Sequence, residues 1–147
     1  MVTVRIKRLP HNPELPLPRK MSDRSSGYDL MAALDEPLSI APGGIALIPT
    51  GLAMSIPEGY EGQVRPRSGL AINRGLTILN APGTIDADYR GELKVALVNL
   101  GKEITTLHRG DRIAQLVITP VPSVNFEETS DLDPTARNDG GFGHTGI

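Results

Sequence analysis

The sequence predicts an all-β domain, a sandwich or a barrel, on three observations. Sixteen Gly and thirteen Pro are spread along 147 residues and cut the chain into short apolar runs, the pattern of strands joined by turns. Several runs alternate apolar with polar residues, the period that turns one side of a strand toward a core. Only one short stretch reads as helix.

Val2, Val4 and Ile6 alternate with Thr3, Arg5 and Lys7, which makes the first strand. Further strands are expected at Gly44–Ile48, Gly51–Ile56, Gln63–Arg65 and Leu76–Leu79, and at Arg112–Thr119. Between the last two, Leu93, Val95 and Leu97 share one face and Lys94, Ala96 and Val98 the other. The helix covers Gly69–Asn73, with Ser68 as its N-cap and Gly75 as its end, each at the position that residue type favours. Leu76–Asp86 reads as a hairpin turning at Pro82-Gly83, a pair suited to the two centres of a type II turn. After Phe126 the apolar pattern stops. Glu127–Asn138 is polar and acidic and leads into a glycine-rich end, Asp139–Gly146. Residues 1–126 are therefore expected to form one domain, and 127–147 a polar linker and arm that is mobile without a ligand.

Composition narrows the function classes. A net charge of -2 and 3% aromatic residues argue against a nucleic-acid surface, which needs a basic stripe and stacking rings. No cysteine is present, so neither a disulfide framework nor a thiolate site is available, which suits a cytoplasmic protein. The apolar stretch Gly44–Ile56 is interrupted by Pro49 and Ser55 and is too short to cross a bilayer. The N-terminal residues lack the apolar block of a secretory signal. His11, His108 and His144 have no metal-ligand spacing, and they read as solvated surface residues.

Three segments carry residues of chemical interest. Arg65–Ala71 joins a strand to a helix start, where backbone N–H groups, the Ser68 hydroxyl and the Arg67 guanidinium can converge on an anion. The same residues also fit a plain helix cap and a surface ion pair. The open end of the Leu76–Asp86 hairpin offers backbone donors and acceptors, with the Asn80 amide, to a flat heterocycle. Asp86 and Asp88 follow on one face of an extended segment, one placed to orient water and the other to pair with Arg90 or lie in solvent. Gly141–Gly146 has the G-x-G-x-x-G spacing, but no strand precedes it and no helix can follow, which excludes a dinucleotide fold. A glycine-rich arm can still wrap phosphates, with Arg137 as a clamp and Phe142 as a lid over a base. Arg109-Gly110-Asp111 is read as the turn that opens the last strand.

Taken in order, these segments resemble the trimeric dUTPase family over nearly the whole chain. Five motifs carry the resemblance: Ser26–Leu30, Arg67–Ala71, Asn80–Gly91, Arg109–Gln115 and Arg137–Gly146. The resemblance implies a jelly-roll-like β subunit and a homotrimer with shared sites. It also implies hydrolysis of dUTP to dUMP and pyrophosphate with Mg²⁺, which limits uracil in DNA and supplies dUMP for dTMP synthesis. Asp86 would orient the water that attacks the α-phosphorus. Tyr89 would pack on the deoxyribose and exclude a 2′-OH. Asn80, Gly83, Thr84 and Ile85 would read uracil. Arg67, Ser68, Gly69 and Gln115 would hold phosphates, with Lys94 as a further substrate contact. Asp29 would act on Mg²⁺ through water, the triphosphate being its direct ligand. Arg137, Phe142, Gly143 and His144 would close over the nucleotide. Asn138 and His144 stand where the fifth motif more often has Gly and Ser. Two rivals follow: a dCTP deaminase, whose glycine-rich end differs, and a non-catalytic jelly-roll trimer that binds nucleotides or another protein for regulation or assembly, against which Asp86, Arg137 and the full arm count.

Overall fold

A computed structural model describes residues 1–141. Phe142, Gly143 and His144 lie outside the described residues. The described residues form ten strands and one short helix, arranged as a jelly-roll-like sandwich. The strands are β1 (Arg5–Arg8), β2 (Tyr28–Met31), β3 (Leu38–Ile40), β4 (Ile45–Ser55) and β5 (Tyr60–Arg65). After helix α1 (Ser68–Arg74) come β6 (Leu76–Ile78), β7 (Gly83–Ile85), β8 (Glu92–Asn99), β9 (Thr105–Leu107) and β10 (Arg112–Pro120). One four-stranded antiparallel sheet runs β1-β4-β8-β6, a second runs β2-β10-β5-β7, and β3 pairs with β9.

Both large sheets and the small one feed a single core. Ile48, Leu76, Leu93, Val95 and Leu97 come from the first sheet, Leu30, Val64, Ala114 and Leu116 from the second, and Ile40 and Leu107 from the third. Each fully buried aliphatic side chain contributes roughly 1.5–3 kcal/mol. Val4 and Ile6 pack against this core as the alternation implies, while Val2 stays 40% exposed.

Several local expectations are corrected. Gly44–Ile48 and Gly51–Ile56 are one strand, β4, whose register against β8 shifts between Pro49 and Ala53. Gly51 sits at that shift with φ 64. Only glycine serves there, because the left-handed backbone excludes a side chain and a Cβ would collide with Cβ of the buried Asn12. Asn12 in turn donates to Thr50 O at 2.7 Å. Leu76–Asp86 is not a hairpin: β6 belongs to the first sheet and β7 to the second. Gly83 starts β7 without the positive φ that a type II turn needs at its second centre, so no such turn forms, and the segment carries the chain across the sandwich. Gly75 does end α1 in the left-handed conformation, but the N-cap is Arg67, with no side-chain capping bond, and Ser68 is the first helical residue. The weak sequence alternation in β2, β3 and β9 hid these short strands.

Candidate active site

The expected site residues fall into two groups. The first lies where β2, β5 and β10 meet. Gln115 of β10 pairs with Asp29 of β2 on one side and Arg65 of β5 on the other, so the three strands bring Asp29, Gln115 and the start of α1 together. A bulge makes this possible. Between Arg112 and Ala114 the register against β2 shifts by one residue, and Ile113 and Ala114 are both buried. Arg112 and Gln115, three apart, can therefore both stay on the outer face.

Asp29 is the hub. Its Oδ1 is 3.3 Å from Arg67 Nε and its Oδ2 accepts from Arg112 Nη1 at 3.1 Å, with the carboxylate side chain only 10% exposed. Arg67 Nη1 also donates to Arg112 O at 2.9 Å. Gln115 Nε2 donates to Pro66 O at 2.9 Å, which ties β10 to the turn before the helix. Gly27 is required beside it, since a Cβ there would strike Gln115 Oε1. Ser68 and Gly69 are exposed at the first turn of α1, and among the described residues the Ser68 hydroxyl has no hydrogen-bond partner. The result is a pair of oriented guanidiniums, a free hydroxyl and helix-start N–H groups on one open surface, chemistry suited to phosphate oxygens. Arg112 was missed by sequence reasoning. Its signal was the pair of consecutive apolar residues after it, which breaks strict alternation and marks the bulge.

The second group is built on β7 and the turn after it. β7 is an edge strand, so its outer backbone groups are unpaired among the described residues and open to a ligand. Gly83 is buried against Asn80, whose amide nitrogen would lie 3.4 Å from a Cβ at position 83. Thr84 and Asp86 are exposed and Ile85 is half-buried. Asp86 and Asp88 do not share an extended segment: Tyr89 N donates to Asp86 O at 3.1 Å, closing a turn over Asp86–Tyr89. Asp88 lies in solvent, and Arg90 Nη1 donates instead to Ala87 O at 2.6 Å and Tyr89 O at 2.9 Å. The Tyr89 ring lies over Gly91, where a Cβ would meet the hydroxyl, and its hydroxyl donates to Glu92 O at 3.0 Å. Lys94 joins this group through Glu92, with Nζ 3.7 Å from Glu92 Oε2.

One chain does not bring the two groups together. The pairing of Ile85 with Gly62 and of Gly83 with Val64 carries Asp86 toward Glu61, while Arg67 lies beyond Arg65. Four strand steps separate Glu61 from Arg65, about 13 Å, and Arg67 and Ser68 are farther still. The described part of the arm bonds within itself: Arg137 Nε donates to Gly140 O at 2.6 Å, and residues 127–141 contain no helix or strand.

Two expectations about the remaining polar residues change or hold. His11 is not simply solvated, because its Nε2 is 2.7 Å from Glu92 Oε1, a carboxylate 81 positions away in sequence. Arg109-Gly110-Asp111 is indeed a turn, closed by Asp111 N on His108 O at 3.1 Å and by His108 N on Asp111 Oδ2 at 2.8 Å. Arg109 is turned inward onto Glu14, Leu34 O and His11 O. Its guanidinium holds the Glu14 carboxyl below the usual carboxylate range. No helix among the described residues is long and apolar enough to cross a membrane.

The family model for dUTPase matches residues 13–146. A deoxyuridine 5'-triphosphate nucleotidohydrolase of Aquifex aeolicus is 62% identical over 145 residues, 99% of this chain and 97% of its own. Among solved structures, a mutant of the Staphylococcus bacteriophage 80alpha dUTPase with dUpNHpp superposes with TM-score 0.84 at 28% identity, covering 99% of each chain. A mutant dUTPase from phage phi11 of S. aureus, which reveals the coordination of a structural Mg(II) ion, gives TM-score 0.77 at 28% identity over 90% of this chain and 99% of that one. With the motifs in order, the sandwich fold and these matches over nearly its full length, the chain belongs to the dUTPase family.

Proposed function

We propose that the chain hydrolyses dUTP to dUMP and pyrophosphate in sites shared between the subunits of a homotrimer, each site combining the Asp86 group of one chain with the Asp29 group of another. Family membership supports the activity, that of a dUTP diphosphatase. The observation that carries the sharing is the separation of the two groups along β5. Each is incomplete alone: one has an exposed carboxylate and base-reading backbone, and the other has the paired guanidiniums of Arg67 and Arg112 with the exposed Ser68.

In this site the edge of β7 and Asn80 read the uracil edge, and the Tyr89 ring packs on the sugar. Arg67, the Ser68 hydroxyl, the helix-start N–H groups and Gln115 hold phosphates. Asp86 orients a water on the α-phosphorus and takes its proton, in a reaction that asks more for positioning and charge neutralisation than for covalent help. Arg137 and the arm 127–147 close over the nucleotide. Asp29 fits a cation that arrives hydrated on the triphosphate: it is a hard oxygen donor, and both its oxygens are already held by guanidiniums, so it would contribute through water. Bound Mg²⁺ would neutralise phosphate charge there. Such an activity limits uracil in DNA and supplies dUMP for dTMP synthesis. Asp86→Asn tests the assignment. Pyrophosphate release from dUTP should fall by about 10²–10⁴-fold, the usual loss of a general base, while dUTP binding is retained; near-normal turnover would refute it.

A further inference from the structure

Tyr89 is exposed over 46% of its surface, yet the residue is held at its backbone and at its hydroxyl. At one end its N–H closes the Asp86 turn. At the other its hydroxyl donates to the Glu92 backbone carbonyl at 3.0 Å, and Gly91 leaves room for the ring between them.

Glu92 is itself fixed by parts of the fold distant in sequence. Its Oε1 accepts from Gly51 N–H at 2.9 Å, at the register shift of β4, and lies 2.7 Å from His11 Nε2. Its side chain is only 15% exposed. His11 O accepts from Arg109 Nη2 at 2.8 Å, and Arg109 also donates to Leu34 O and Glu14. A carboxylate at the start of a strand is free to point into water. Turning it inward costs desolvation unless hydrogen bonds offset it, and here they lock Glu92 to β4 and to the N-terminal loop.

We infer that Glu92 is a positioning residue for sugar selectivity: it anchors the carbonyl that tethers the Tyr89 hydroxyl and so keeps the ring from yielding to a 2′-OH. The inference rests on Tyr89 as the wall against the sugar. A tethered ring resists displacement. Without the tether it turns about its side-chain bonds and admits a ribose. Selectivity would then depend on the hydroxyl of Tyr89 as well as on its ring.

The test measures kcat/KM for dUTP and for UTP on the purified full-length protein and takes their ratio, in which any loss of folded protein cancels. Glu92→Ala keeps the backbone carbonyl but frees it from its side-chain anchors, and should lower the ratio at least about twofold and at most about tenfold, the ceiling set by one lost hydrogen bond, chiefly by raising the value for UTP. Tyr89→Phe should lower it by a similar factor. The double variant should fall no further than Tyr89→Phe alone, because Glu92→Ala acts on selectivity only through the hydroxyl tether. Glu92→Gln keeps an oxygen for Gly51 N–H and should stay within about twofold of the unmodified protein. An unchanged ratio in Glu92→Ala, or effects that multiply in the double variant, would overturn the inference. Tyr89→Ala separates the two levels: if it leaves the ratio unchanged, the sugar-wall assignment falls and the inference with it. If it lowers the ratio while Glu92→Ala does not, the inference alone falls.

Discussion

Replacing Asp29 by Ala removes the carboxylate that orients Arg67 and Arg112, and two opposite effects on dUTP binding follow. At 3.3 and 3.1 Å each pair has a gross attraction of about 5 kcal/mol at an effective dielectric near 20. The arginine side chains are 24% and 40% exposed, and after desolvation and screening each pair is worth about 1 kcal/mol net. Stability should therefore fall by about 2 kcal/mol. The freed guanidiniums must then be re-ordered on phosphate at a cost of about 0.5–1.5 kcal/mol each. Against this, a negative charge disappears beside the triphosphate, which keeps about two units of charge with Mg²⁺ bound, a gain on the order of 1.2 kcal/mol in water-like surroundings. Ordering outweighs charge, and a net loss of about 0.8 kcal/mol corresponds to a KM about fourfold higher. Initial rates of pyrophosphate release, with urea unfolding as a control, measure both quantities. A KM that is unchanged or lower would show Asp29 to be a bystander charge and refute its role as organiser.

Gly51→Ala should destabilise the protein by about 2–4 kcal/mol, from the left-handed backbone and from overpacking against Asn12. Urea unfolding reads it, and a loss under about 1 kcal/mol would contradict the account. Glu14→Gln tests the pair with Arg109. Because the folded carboxyl is shifted downward, its contribution is present at neutral pH and is lost as pH falls through the carboxylate range. The variant should melt slightly below the parent at pH 7 and together with it at about pH 3; a gap that persists in acid would rule out the ion pair as its source.

The sequence showed the fold class because turn residues and alternation are local signals. Gly75 ends α1 and Leu93, Val95 and Leu97 enter the core as their spacing implies. What stayed hidden depends on tertiary partners. Pro82-Gly83 suits a hairpin turn by local chemistry, yet the flanking segments bond to β8 and β5 instead. The bulge at Ile113, which puts Arg112 beside Gln115, exists only against β2. Of the expected site residues, Asp29, Arg67, Ser68, Gly69 and Gln115 stand together, and Asn80, Gly83, Thr84, Ile85, Asp86, Tyr89 and Lys94 form the second group. Their division along β5 follows from strand register, which the sequence does not display. The His11–Glu92 pair joins residues 81 positions apart, beyond the reach of any local pattern.

The central claim is that Asp86 and the Arg67–Ser68 cluster of one site come from different chains, and subunit mixing tests it most directly. Asp86→Asn is one parent and a double variant, Arg67→Ala with Ser68→Ala, is the other; each alone should hydrolyse dUTP at a small fraction of the normal rate. Co-expressed in equal amounts and assembled at random, a closed trimer that shares its sites draws each part from an intact chain half the time. About a quarter of the sites are then complete, and about a quarter of the normal activity should return. If Asp86 and the cluster served a site from the same chain, no mixed site would be whole, and the mixture would stay as inactive as its parents.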